Sequence, residues 1–261
     1  MTYEHKLFLK KLKRNRLIII FSQISLLIIF LIFWEVLSRL NIINSFLFSS
    51  PSKVINTLVE LYQDNNLFNH ILRTTYEVII SFLLCGIISF ILALTLYIFK
   101  TLKKILDPFI MVINSLPKVA LGPLIIIILG TNTNSIIFNA LLISVIVTTI
   151  TILNGFLSCD TEQLKLFKIF GASKKDILFN LILPSSRIYI LSSLKINISM
   201  NLIGVIMGEF LCCKEGIGYL ILYGTQVFNL SLVMCGILLL SLLSIIFNLI
   251  INKLEKNYSL E

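Results

Sequence analysis

Side chains able to do chemistry are scarce in this 261-residue chain, so their placement carries the argument. In the later apolar stretches the well-placed acidic residues are Glu77 and Glu209, and no histidine stands in register with them. Hydrolysis at membrane depth needs paired carboxylates, a Ser/His pair or metal ligands facing one another, so an intramembrane protease or lipid transferase is disfavoured. His5 and His70 are isolated and fall outside the apolar stretches, which reads as solvated surface. The cysteines Cys85, Cys159, Cys212, Cys213 and Cys235 are odd in number and lack zinc or redox spacing, so free thiols are expected. No G-x-x-x-x-G-K-[S/T] phosphate loop occurs. The expectation is a chain with no catalytic residue, no cofactor and no metal of its own.

One cation stands out. Charges inside a membrane span cost about 2.5–3.5 kcal/mol at its centre, so each needs a reason. Counting 1.5 Å per residue from Pro108 places Lys118 about 15 Å along a straight helix, near the midplane. Pro117 and Pro123 each remove a backbone donor, and the freed carbonyls need protein or a water-filled cavity around them. Two readings stay open: Lys118 faces a pathway for an anion, or it pairs with freed carbonyls or with Glu209. Asn114, Pro117, Lys118 and Glu209 are therefore the candidate pathway residues. Gly204 and Gly208 form a small-xxx-small pair that predicts close helix packing. Lys195 is shallower, and snorkelling explains it.

The segment Asp160–Pro184 is a second candidate site. Asp160 with Gln163 fits a capping box, Gly171 fits a helix C-terminus, and Ser173 with Asp176 fits a second capping box. The pattern predicts helix, glycine turn, helix. The first helix carries Leu164, Phe167 and Phe170 at three-residue spacing, with Leu166 and Ile169 beside them, among lysines. So much apolar surface on a short helix needs a cover, either the lipid headgroups or a groove on a partner.

The elements that must hold these groups are membrane helices. Hydrophobic residues make up 57% of the chain and charged ones 13%, too few to cover a water-facing surface. The formal charge of +9 is not gathered into a basic face, so nucleic acid is not expected as a partner. Six apolar runs are long enough to cross a bilayer: Leu17–Leu37, Tyr76–Phe99, Ile105–Gly130, Ile136–Leu157, Ser186–Phe210 and Ser231–Ile251. The first lacks a small-residue cleavage site, which argues against a removable signal. Lysines and arginines concentrate before the first run, between the second and third, after the fourth, and in the tail. By the positive-inside rule both termini are cytoplasmic. The chain then divides into a basic N-terminus (1–16), a first span (17–37), an external loop (38–75), a five-helix core (76–252, holding the segment 158–185) and a tail (253–261). In the external loop, Ser50 followed by Pro51 starts an amphipathic helix, Pro51–Gln63, with an apolar stripe of Val54, Ile55, Leu58, Val59 and Tyr62.

Gly171-Ala172-Ser173, with Leu183-Pro184 ending 13 residues after the glycine, resembles the EAA loop of binding-protein-dependent ABC permeases. LDP at Leu106–Pro108, LPKVALGPL at Leu116–Leu124, EGIGYLI at Glu215–Ile221 and the external FSSPSKVINTLVEL stretch resemble the nitrate, sulfonate and taurine branch. The likeness runs from about Phe48 to Ile251. It implies an all-α, type I importer (MetI-like) fold with six transmembrane helices, two permease chains pairing as a homodimer in the cell membrane. It also implies cytoplasmic ATPase subunits that bind ATP and Mg, and an external substrate-binding protein. Glu162, Lys165, Leu166, Phe167, Phe170, Gly171, Ala172, Ser173 and Pro184 would form the ATPase-coupling surface. There is one departure: the acidic position and two alanines of the motif fall on Lys165, Leu166 and Phe167, which implies a differently shaped groove. The implied substrate is a small anion such as a sulfonate, taurine or nitrate, with a vitamin or pyrimidine precursor as the alternative. A proton- or sodium-coupled carrier would call for an internal repeat and more titratable groups in the spans.

Overall fold

The computed structural model describes residues 3–40, 49–64, 66–212 and 214–258; Phe48, Cys213 and the side chain of His5 lie outside what it describes. Within those residues the chain is helical, without strands. Helix α1 (Tyr3–Arg39) is followed by α2 (Pro51–Gln63) and α3 (Asn66–Ile98). The expected amphipathic helix has the bounds its cap predicts, with the Ser50 side chain accepting from the Lys53 N–H. Its inward face is Val54, Leu58 and Leu61, while Ile55, Val59 and Tyr62 stay exposed. The expected stripe is therefore rotated. Helix α3 begins ten residues before Tyr76, which turns the last ten residues of the predicted loop into helix.

The predicted straight span over Ile105–Gly130 is broken. Helix α4 (Lys100–Ser115) gives way to a 3-10 turn (Lys118–Leu121) and then α5 (Gly122–Leu129), and the two arms are bent by 83°. The cause is local. Pro117 pushes Leu116 into extended backbone, ψ 141°, which ends the helix before it. The depth reckoned for Lys118 along a straight helix therefore does not hold. Among the described residues, five helices are long and apolar enough to cross a membrane, and six spans result if the bent pair counts as one.

Helix α6 (Thr133–Leu157) leads to α7 (Thr161–Ile169), α8 (Lys174–Ile177), a π turn (Leu178–Ile182) and the short α9 (Leu183–Ser185). The π turn sits where Pro184 lacks the N–H an α-helix would return to Asn180. Then come α10 (Arg187–Cys212), α11 (Ile217–Gln226) and α12 (Leu230–Tyr258). No apolar run had separated α11 from its neighbours.

The close pairing of α6 with α10 follows from the two glycines. A Cβ on Gly204 would stand 2.5 Å from the Ala140 Cα, and one on Gly208 would stand 3.0 Å from the Ile136 Cα. Nearby, a buried polar seam ties the same helices together and extends to α3. Asn139 donates to the Gly204 carbonyl (2.9 Å), Asn197 to the Phe82 carbonyl (3.1 Å), Ser89 to the Val145 carbonyl (3.1 Å) and Ser144 to Asn201 (3.3 Å). Such interhelical bonds contribute about 0.6–2 kcal/mol each in a bilayer. Helix α1 is largely exposed along Leu17–Phe33 and is tied in near its end. There Trp34 packs on the core, Ser38 donates to the Ser49 carbonyl (3.0 Å), and Glu35 accepts from the Ser52 N–H (3.1 Å).

Candidate functional site

The bundle has a lysine-rich end, which carries segment 160–184, and an opposite end. At the lysine-rich end, α7 starts at Asp160, whose carboxylate accepts from the Glu162 N–H (2.9 Å). Gln163 does not reciprocate among the described hydrogen bonds, so the expected box is a single cap. Gly171 ends the helix at φ +77°, with Gly171 N–H on the Lys168 carbonyl and Ala172 N–H on the Phe167 carbonyl, both 3.0 Å. That is a Schellman motif, and only its φ requires glycine, because a Cβ there would meet nothing within 4 Å. Ser173 and Asp176 form the complete capping box of α8. Hydrogen bonds from the Ser173 hydroxyl and backbone hold the Asp176 carboxyl below its usual range.

The apolar residues of α7 divide between two faces. Leu164, Phe167 and Ala172 pack on a core of Phe156, Cys159, Ile177, Leu181 and Ile182. Leu166, Ile169 and Phe170 project outward, 52%, 81% and 79% exposed, between the exposed Lys165 and Lys168. Leu164 and Phe167, two of the five apolar residues expected to need a cover, are therefore covered by the chain itself. The Lys165-Leu166-Phe167 departure splits in the same way: Phe167 turns in as an anchor and Leu166 turns out. Glu162, Ser173 and Pro184 are exposed around them.

The opposite end holds a cluster drawn from four segments. On α3 stand His70, Arg73, Thr74 and Glu77; on α10, Glu209; after it, the turn 214–218; and at the start of α6, Thr133. Glu209 is wholly buried and accepts from the Thr74 hydroxyl (2.6 Å) and the Gly218 N–H (2.5 Å). Thr74 in turn accepts from the Ile217 N–H (2.8 Å), and His70 Nδ1 accepts from the Gly216 N–H (2.9 Å). The turn wraps the carboxylate so tightly that a Cβ on Gly216 would lie 2.4 Å from the Glu209 Cδ. Gly216 also has φ +114°, a second reason for glycine there. Arg73 ion-pairs with buried Glu77 (2.9 Å) and donates to Thr133, bridging α3 to the start of α6.

His70 is thus a correction: it is buried, not solvated, and its ring also stacks on Tyr219 at 6.0 Å. The expectation failed because α3 starts early enough to carry His70 under the turn. Nor are Glu77 and Glu209 without a histidine nearby, although its bond goes to backbone and not to either carboxylate. Thr74 and Arg73 carried no signal beyond lying near Glu77 at helical spacing.

Lys118 is buried and donates to Asn114 (3.2 Å) across the proline break. Among the described ion pairs it is not joined to Glu209, which accepts from Thr74 and Gly218. Pro117 and Asn114 are exposed. Lys195 ion-pairs with Glu255 of α12. Among the described residues, no group of three or more His, Cys, Asp or Glu residues is placed to hold a metal.

A sequence profile described as "binding-protein-dependent transport system inner membrane component" matches residues 85–259. The chain is 26% identical to the formylaminopyrimidine transport permease protein ThiX of Halalkalibacterium halodurans, covering 86% of this chain and 89% of that protein. It is 22% identical to the putative aliphatic sulfonates transport permease protein SsuC of Bacillus subtilis, over 85% and 81% of the two chains. The fold matches a chain of the MetNI methionine ABC transporter in an inward-facing form with TM-score 0.65 and 16% identity, over 73% of this chain and 95% of that one. The profile covers well over half of the chain, so this protein belongs to the family of binding-protein-dependent inner membrane components and is a permease subunit of an ABC importer.

Proposed function

We propose that this permease couples to its ATPase through the exposed face of α7, with Leu166, Ile169 and Phe170 as the docking knobs. The observation that carries this reading is the division of α7: one face is anchored in the bundle core, and three large apolar side chains project from the other. An anchored knob transmits a push, whereas a helix loose on lipid would not. The Schellman turn and the Ser173 capping box then stiffen the lever into α8–α10. ATP binding in two partner ATPases would move the two levers of a permease pair and bias the bundle between inward and outward access. In this reading the lysine-rich end and both termini are cytoplasmic, and a substrate-binding protein approaches the opposite end. Asn114, Lys118 and the Pro117 break line the pathway when it opens.

The substrate is a small solute. The sulfonate relative supports an anion, and the ThiX relative supports a pyrimidine precursor as a second reading. The test is co-purification from membranes. The wild-type chain should bring down a cytoplasmic ATPase, and Ile169→Ser with Phe170→Ser should lose at least nine-tenths of it while the permease still inserts. Full recovery of the ATPase by the double variant overturns the docking assignment.

A further inference from the structure

Helix α2 divides into three sectors. At 3.6 residues per turn, Val54, Leu58 and Leu61 form its base, which packs on the bundle core. One flank is polar and exposed: Lys53, Asn56, Glu60 and Gln63. The other is apolar and just as open, with Ile55, Val59 and Tyr62 61%, 48% and 57% exposed. A helix lying on a protein in water needs an apolar base and a polar remainder, so this second apolar flank calls for a cover of its own.

Hydrogen bonds fix the level at which the flank lies. Ser49, beside the Ser50 cap of α2, bonds to Ser231 (2.8 Å) and accepts from Ser38 (3.0 Å). Thr74 of α3 donates to Glu209 (2.6 Å). Ser38, Ser231 and Glu209 each stand within a turn of the end of a membrane span, so the start of α2 and Thr74 both mark the membrane boundary. Phe68 precedes Thr74 by less than two turns, which places it at most about 9 Å beyond that boundary at 1.5 Å per residue. Tyr62, at the far end of α2, packs edge-on against Phe68 with ring centroids 5.8 Å apart. A helix about 20 Å long that rises so little lies at a shallow incline, in or beside the polar layer that adds about 5–8 Å to each side of the hydrocarbon. The flank also continues into the membrane: after Phe68 the exposed Leu72, Tyr76, Ile79 and Leu83 descend one face of the α3 span.

We infer that α2 is an interfacial anchor, with the Ile55, Val59 and Tyr62 flank seated in the headgroup–acyl boundary of the leaflet opposite the lysine-rich end. Tyr62 suits that depth, with an apolar ring and a polar hydroxyl. Lys53 is offset by Glu60 and Asp64, so apolar area and not headgroup charge provides the attraction, and zwitterionic lipid suffices. Through Ser231 and Glu35, which accepts from the Ser52 N–H, the anchor also fixes the adjoining ends of α12 and α1 at the lipid surface. It acts whichever partner α7 takes.

The test is tryptophan fluorescence in phosphatidylcholine nanodiscs, with Val59→Trp and Asn56→Trp each placed in a Trp34→Phe background so that one tryptophan remains. Both positions are exposed, so neither substitution meets the core. Lipid brominated near the headgroup end of its chains should quench Val59→Trp at least twofold, and more than lipid brominated at the chain ends. Aqueous iodide should quench Asn56→Trp and spare Val59→Trp. Quenching of Val59→Trp by iodide alone puts the flank in water and overturns the proposal. Quenching by neither agent puts it against protein, a second copy of this chain included, and overturns it as well. A diazirine-bearing phosphatidylcholine reads the wild type directly, with adducts expected on Ile55, Val59 or Tyr62. Their absence refutes the anchor even where a variant fails to fold.

Discussion

Thr74 is the smallest group on which the opposite end depends, and its substitution can be worked through from distances. Its hydroxyl donates to Glu209 at 2.6 Å and accepts from the Ile217 N–H at 2.8 Å, with the side chain wholly buried. Valine has nearly the same shape, so Thr74→Val opens no cavity. It does strip one donor from a buried carboxylate and orphans one buried N–H. Each loss costs roughly 1–3 kcal/mol, the first toward the upper part of that range because the acceptor is charged. The sum is about 2–6 kcal/mol, concentrated in the turn 214–218. Thr74→Ser keeps both bonds and should cost under about 1 kcal/mol. The assay is thermal unfolding in detergent together with the rate of tryptic cleavage after Lys214. Thr74→Val should unfold earlier and be cut at least tenfold faster, tracking local opening. If the valine and serine variants match the wild type in both readouts, the Thr74 bonds carry no energy and the reasoning fails.

Three further outcomes follow from particular contacts. Gly204→Val brings branched carbons onto the Ala140 backbone, where the added Cβ alone would stand 2.5 Å from Cα, so it should destabilise α6–α10 packing by at least about 1–3 kcal/mol and reduce membrane yield. Asp176 is held below its usual range by Ser173, so its capping contribution is complete above the unfolded value of about 4 and disappears as pH falls through the lower folded value. Amide-exchange protection at Ser173 should fall with acid in the wild type and be pH-independent in Asp176→Asn. Lys118→Met should cut anion uptake while leaving assembly with the ATPase intact, and full uptake removes Lys118 from the pathway.

Much of the fold was legible because its signals are local. The Ser50 cap, the Gly171 turn and the Ser173–Asp176 box each lie within a few residues, and each has the geometry expected of it. The glycine pair was legible as close packing, though its target, Ile136 and Ala140, was not. What escaped was mostly long-range or cumulative. Thr74 meets Glu209 across 135 residues, and no spacing within α3 announces it. His70 was misplaced because a polar stretch, Asn66–Thr75, continues as helix once its inner face is covered by the turn. The two prolines signalled a break near Lys118 but not a bend of 83°, which moved the lysine off its reckoned depth. On α7, periodicity showed how much apolar surface exists, and only packing separated the anchoring residues from the projecting ones.

The docking face of α7 is tested most directly by placing a photo-crosslinking amino acid at Phe170 and irradiating intact cells. The proposed coupling requires an adduct with a single cytoplasmic protein that mass spectrometry identifies as carrying a phosphate-binding loop, and its yield should change when ATP is depleted. Crosslinks to lipid alone, with no ATPase adduct under either condition, would contradict it.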